Sequence, residues 1–187
     1  MTAQRHHVKR QSMSSIALEN ESEEAIDRFA ETAREFCSWL EGEPSDDMSE
    51  RFTALRFLSR LYDQALQLPE IRDEHMAGAA SEWSEMSAEL TDRVMKRLDR
   101  FPTRSYWRID RTSEGEVEKV EDDVARDLFL TYSGVKDSLT DFDRGNQSRY
   151  RAAWSWRFTF WLDWGRHSTN AIQALHAQFH DEANRHE

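Results

Sequence analysis

The chain has 187 residues, and 36 Asp plus Glu outweigh 25 Lys plus Arg, giving a formal charge of −11 at neutral pH. That length suits one domain, and the acid surplus argues against nucleic acid or an anionic membrane as the main partner. No apolar run approaches the roughly 20 residues that span a bilayer, and the lone Cys37 allows no internal disulfide, which fits a reducing, cytoplasmic compartment.

Residues 1–18 read as a flexible basic tail, with Arg5, Lys9 and Arg10, no acid before Glu19 and no secretory apolar run. Met13 is a second candidate start, which would leave residues 1–12 outside the native protein. Residues 19–187 then carry a charge of −14. A first helix is predicted from about Asn20 to Leu40, with Asn20 and Glu23 spaced as a capping box. Ile26, Phe29, Ala33, Phe36 and Leu40 recur every three or four residues and so share a face. Gly42 and Pro44 stop it.

A second helix is predicted from about Asp46 to Leu68, where Pro69 ends it, with Met48, Phe52, Leu55, Leu58, Leu61, Tyr62, Ala65 and Leu66 in its stripe. A third runs from about Ala79 to Leu98 and turns Trp83, Met86, Leu90, Val94 and Leu98 inward. Residues 101–119 break the pattern. Phe101-Pro102-Thr103 closes the third helix, Tyr106 to Ile109 suits a short extended piece, and the polar stretch around Gly115 suits a surface connection with room for a small hairpin. A fourth helix is predicted from about Glu121 to Phe142, with Val124, Leu128, Tyr132, Val135 and Leu139 inward. Gly134 inside it costs about 1 kcal/mol relative to Ala, which points to another helix packed closely there.

The fifth helix, from Gln147 to about Asn184, carries two adjacent apolar series. Trp154, Phe158, Trp161, Gly165, Ser168, Ile172, Leu175 and Phe179 alternate at four- and three-residue steps, the period of a bundle seam. Beside them lie Ala153, Trp156, Phe160, Trp164, His167 and Ala171. Between Ala152 and Trp164 the helix is apolar almost all round, so that half is predicted to be central and buried. The seam suits packing within one chain or across a homodimer. The expected architecture is an all-α, single-domain bundle of about five helices with a long aromatic-rich last helix.

Arg157, Asp163, Arg166 and His167 interrupt the aromatic run, and an unpaired buried ion costs several kcal/mol. In the fourth helix Asp123 and Asp127, four residues apart, would share a face, with Asp122 beside them. The fourth helix is therefore expected beside the fifth, its carboxylates near Arg157, Arg166 or His167. Three roles suit this cluster. One is a structural salt-bridge network. Another is a ligand or partner site walled by Trp161 and Trp164, with Arg166 and His167 as polar contacts. The third is a divalent-metal site on Asp122, Asp123 and Asp127, for which the facing helix offers little beyond Asp163. His176 and His180 have zinc-ligand spacing, but Ala177 stands where a zincin needs Glu. Cys37 has no neighbouring base in the pattern and reads as a small core residue. No phosphate loop, nucleophile elbow or cysteine pair is present, so no cofactor and no complete catalytic set is read from the chain.

Two acidic runs stand out: residues 41–50, EGEPSDDMSE, and residues 114–123, EGEVEKVEDD. Clustered on a surface, they would steer a basic partner. The segment FTALRFLSRLYDQALQLP from Phe52 to Pro69, with Tyr106-Trp107, Asp122-Asp123, Trp164-Gly165-Arg166-His167 and Ala174-Leu175-His176, resembles the bacterial family named domain of unknown function 5063. The resemblance spans most of the chain after about residue 20. It implies a bacterial, helical, cytoplasmic protein and no known activity. In the family pattern further acids follow the Asp pair, whereas Arg126 and Leu130 stand there here, which weighs against a metal. The functional expectation is a non-enzymatic acidic protein that binds a basic protein partner, in an immunity or antitoxin-like role. The alternative is a metal-dependent hydrolase or small-ligand bundle using Asp122, Asp123, Asp127 and His167.

Overall fold

Helical periodicity dominates the chain and its fold, which a computed structural model describes for residues 3–71, 86–102, 105–112, 114–145 and 149–185, with first-helix side chains from Asn20 on. The helices are α1 (Ala3–Glu41), α2 (Asp47–Gln67), α3 (Ala88–Leu98), α4 (Val124–Asp143), α5 (Arg149–Thr159) and α6 (Gly165–Ala183). A π turn, Phe160–Trp164, joins α5 to α6 into one continuous fifth helix. The strands β1 (Ser105–Arg111) and β2 (Val117–Asp123) form an antiparallel hairpin before α4. The fold is an all-α bundle of five principal helices with a long aromatic-rich last helix. No helix among the described residues is long and apolar enough to cross a membrane.

Local chemistry places most boundaries. Asp46 caps α2 by accepting from the Ser49 N–H at 3.0 Å. Ser87 caps α3 through the Leu90 N–H at 3.3 Å. Residues 79–85 of the predicted third helix, Trp83 included, lie outside the described residues. Asn20 does not cap α1, because the helix is already running through it.

The predicted stripes of α1 and α4 and the middle of the α2 stripe converge on one core, whereas Met48, Phe52 and Leu66 of the α2 stripe are exposed. Ile26, Phe29, Phe36, Leu58, Leu61, Leu128 and Val135 are fully buried, as are Trp156 and Trp164. Each such side chain contributes about 1.5–3 kcal/mol of transfer free energy. Phe29 is the hub, 4.9 Å from the Trp156 ring and 6.0 Å from Trp164. Both indoles find acceptors: Trp156 Nε1 donates to Val135 O at 3.0 Å, and Trp164 Nε1 to Trp156 O at 3.2 Å. At the α2–α3 end, Arg97 donates to Glu50 at 2.5 Å while its guanidinium lies 4.6 Å from the Trp39 ring centre.

The last helix is not buried all round between Ala152 and Trp164, contrary to what its composition predicts. The second series is buried along its whole length, from Ala153 to Ala171, while Phe158, Trp161 and Leu162 of the apolar stretch are 46%, 63% and 69% exposed. After the turn, Gly165, Ser168 and Leu175 of the first series enter the core. The cause is the wider turn, in which Gly165 N–H bonds to Phe160 O five residues back. A Cβ on Gly165 would lie 2.4 Å from that carbonyl oxygen, so a residue without one permits the approach. One inserted residue shifts the phase of everything that follows.

Candidate functional site

The hairpin, the start of α4 and the start of α6 meet at Asp127, which is fully buried. β1 alternates its side chains across two faces, and Tyr106, Arg108 and Asp110 are its less exposed set. Tyr106 Oη donates to Asp127 Oδ2. From α6, His167 Nδ1–H donates to Asp127 Oδ1 at 2.7 Å. Burial, followed by the Asp127 hydrogen bond and charge, pushes the Tyr106 phenol well above its ordinary value. The other ring nitrogen, His167 Nε2, lies 3.4 Å from Asp163 Oδ1 in the π turn.

A second set flanks this one. Asp122, whose side chain is 2% exposed, accepts from Arg108 Nε at 3.0 Å and from Arg126 Nη1 at 3.3 Å. Burial pushes the Asp122 carboxyl up, but the Arg108 and Asp123 N–H hydrogen bonds and the nearby guanidinium charges hold it below the ordinary range. Arg108 also bonds Asp110, which lies 3.9 Å from Arg166. Opposite charges thus alternate from Arg166 through Asp110, Arg108 and Asp122 to Arg126.

Asp123 does not sit on a helix face with Asp127. It ends β2 and caps α4, accepting from the Ala125 N–H at 2.6 Å. The acidic run pairs as a strand because Tyr106 to Arg111 lies opposite it, so Glu121 to Asp123 join the hairpin instead of opening the helix. Of the residues singled out from sequence, Asp122, Asp123, Asp127, Arg166 and His167 come together here. Arg157, Trp161 and Trp164 do not join them. Arg157 Nη1 donates to Leu68 O at 2.6 Å, Trp164 packs into the core, and Trp161 faces solvent from the π turn. Trp161 and Trp164 therefore do not wall one pocket. His176 and His180 are exposed along α6, and Cys37 is buried with its thiol pushed above the ordinary range by that burial.

Asp122, Asp123 and Asp127 are each committed to their own donors, and among the described residues no group of three His, Cys, Asp or Glu could hold a metal ion. A carboxylate on Nδ1 orients an imidazole as it does in hydrolytic triads. The partner of Nε2 here is the Asp163 carboxylate, however, and the nearby Ser168 hydroxyl bonds Thr131 at 3.2 Å. Chemically, this arrangement fastens the hairpin to α4 and α6. Tyr106, Arg108, Asp110 and Arg126 complete it. The alternating Tyr-x-Arg-x-Asp of β1 was the signal available for three of them.

The other hairpin face is open. Trp107, Ile109 and Val117 are 57%, 76% and 64% exposed. Lys119 Nζ lies 4.2 Å from the centre of the Trp107 ring, and Glu121 pairs opposite Trp107. Glu114, Glu116, Glu118 and Glu121 are exposed, and none forms an ion pair among the described residues.

A family model described as Domain of unknown function (DUF5063) matches residues 20–181. The crystal structure of a Bacteroides fragilis protein is similar, with 25% identity and a TM-score of 0.64. The match covers 82% of this chain and 93% of that one. No curated protein matches the chain.

Proposed function

This chain belongs to the family described as Domain of unknown function (DUF5063), and we propose that it acts as a non-enzymatic, cytoplasmic protein that binds a basic protein partner. Neutralising a basic toxin, as immunity and antitoxin proteins do, is a role that such a surface suits. The observation that supports this reading is the outer hairpin. Exposed Trp107, Ile109 and Val117 supply an apolar centre on a face shared with Arg111, Lys119 and Glu121, and Glu114 and Glu116 stand at its turn; none of these three carboxylates forms an ion pair among the described residues. Interfaces commonly combine an aromatic anchor with a charged rim that steers the encounter. Lys119 over Trp107 also shows that this ring face accepts a cation. The hydrolase or ligand-bundle alternative has less support, since His167 is engaged with Asp127, Asp122 with Arg108 and Arg126, and Asp123 with the N–H of Ala125.

Selection of random displayed peptides on the full chain at low salt tests the proposal. Enrichment of Lys- and Arg-rich peptides is expected, and it should collapse near 1 M salt, where the screening length is about 3 Å. Equal enrichment on a variant with Glu114, Glu116, Glu118 and Glu121 changed to Gln would sink it, as would peptides without a basic bias.

A further inference from the structure

We infer that the cavity between α3 and the start of α4 is an anchor pocket for one lysine or arginine side chain of the basic partner, an inference that rests on the function proposed above. The cavity measures about 420 Å³. Its apolar lining is Met95, Leu98, Phe101 and Phe129, of which Leu98 and Phe101 are buried and Met95 is 43% exposed. Its polar lining is Asp99, Asp123 and Arg126.

That composition matches an amphipathic cation. Lys and Arg bury an aliphatic stem along apolar surface and keep the charged head among polar groups. Here the stem would lie along Met95, Phe101 and Phe129, and the head would meet Asp99 and Asp123. Asp99 is exposed just beyond α3 and forms no ion pair among the described residues. Asp123 commits one carboxylate oxygen to capping α4, and its charge remains. Arg126 is the one lining cation among the described residues, and its Nη1 is drawn to Asp122, 3.3 Å away. Two carboxylates against one engaged guanidinium leave the pocket acidic. An anion meets repulsion there, and a neutral apolar group leaves both carboxylates without a counter-charge.

Continuity with the hairpin supports the same occupant. Asp123 pairs with Ser105, two residues along each strand from the Trp107–Glu121 pair on the open face. A partner lying across Trp107 and Glu121 therefore reaches the pocket through Asp123.

The test uses the full chain labelled at its methionine methyl groups, with the Met95 signal assigned by Met95→Leu. n-Butylguanidinium and N-acetyl-lysine methylamide should each shift that signal, and 1-pentanol, of similar stem length, should bind about tenfold more weakly. Asp99→Asn with Asp123→Asn should erase the preference, because Asn keeps the helix cap while removing charge. An unchanged melting temperature confirms that the double variant is folded. Equal binding of pentanol, no shift at Met95, or an unaltered preference in the double variant overturns the pocket. The basic peptides selected above separate the two ideas. If they bind the double variant as well as the wild type, the pocket is wrong and the acidic surface stands. If no basic peptide binds either protein, the proposed function itself fails.

Discussion

A Cβ placed on Gly134 would lie 2.7 Å from Trp164 Cδ1 and 2.9 Å from Trp164 Cβ. The glycine, an unfavourable residue in mid-helix, is what lets α4 approach the π turn. Gly134→Ala gains about 1 kcal/mol of helix propensity but overpacks a fully buried indole, at a cost of about 1–3 kcal/mol. Contacts this short to the near end of a rigid side chain decide the sign. Thermal unfolding should show a melting temperature lower by a few degrees, and an unchanged or higher value would mean that Trp164 moves aside freely. The sequence already pointed to a close helix at Gly134. That the neighbour is Trp164 was not legible, because the partner lies 30 residues further along a helix whose phase changes first. Asp127 and His167 were likewise recognisable as polar residues on inward faces, whereas Tyr106 lay in a piece read as extended, with nothing local to say that its alternating set would meet Asp127.

A two-stranded hairpin is marginal alone, so β1 and β2 persist here through their inner face. Tyr106 on Asp127 and Arg126 on Asp122 tie them to α4. Tyr106→Phe keeps the ring and removes one of the two side-chain donors to a carboxylate with no solvent access. The expected loss is about 1–3 kcal/mol in urea unfolding, together with faster hydrogen exchange at the amides of residues 106–122. Exchange as slow as in the wild type would show that the hairpin is held some other way. The helices behave differently. Their stripes were readable residue by residue, since i, i+3 and i+4 neighbours meet whatever the rest of the chain does. The π turn broke that rule in the last helix, where Phe158, Trp161 and Leu162 lie outside, and Met48, Phe52 and Leu66 of the α2 stripe are exposed as well.

Across the molecule, charge couples the bundle to pH. Burial pushes the Glu50 carboxyl up, but hydrogen bonds from Ser45 and Arg97 and the Arg97 charge hold it below the ordinary range, and Asp122 is held low in the same way. A carboxylate depressed by folding stabilises the fold above its unfolded value of about 4, and that contribution fades as pH falls through the folded value. The urea midpoint should therefore drop between pH 5 and pH 3, and Glu50→Gln should make the drop shallower. A Glu50→Gln profile parallel to the wild type would remove Glu50 from the account. The helical class, the apolar stripes and the acid surplus were all present in the order of residues, because period and composition act over a few neighbours or over none. The meeting of Tyr106, Asp127 and His167 spans separations of 21 and 40 residues. Glu121 to Asp123, expected to open the fourth helix, became the end of a strand and a cap through pairing with the preceding strand. Contacts of that range exist only after separate elements have docked, and no local pattern encodes the docking.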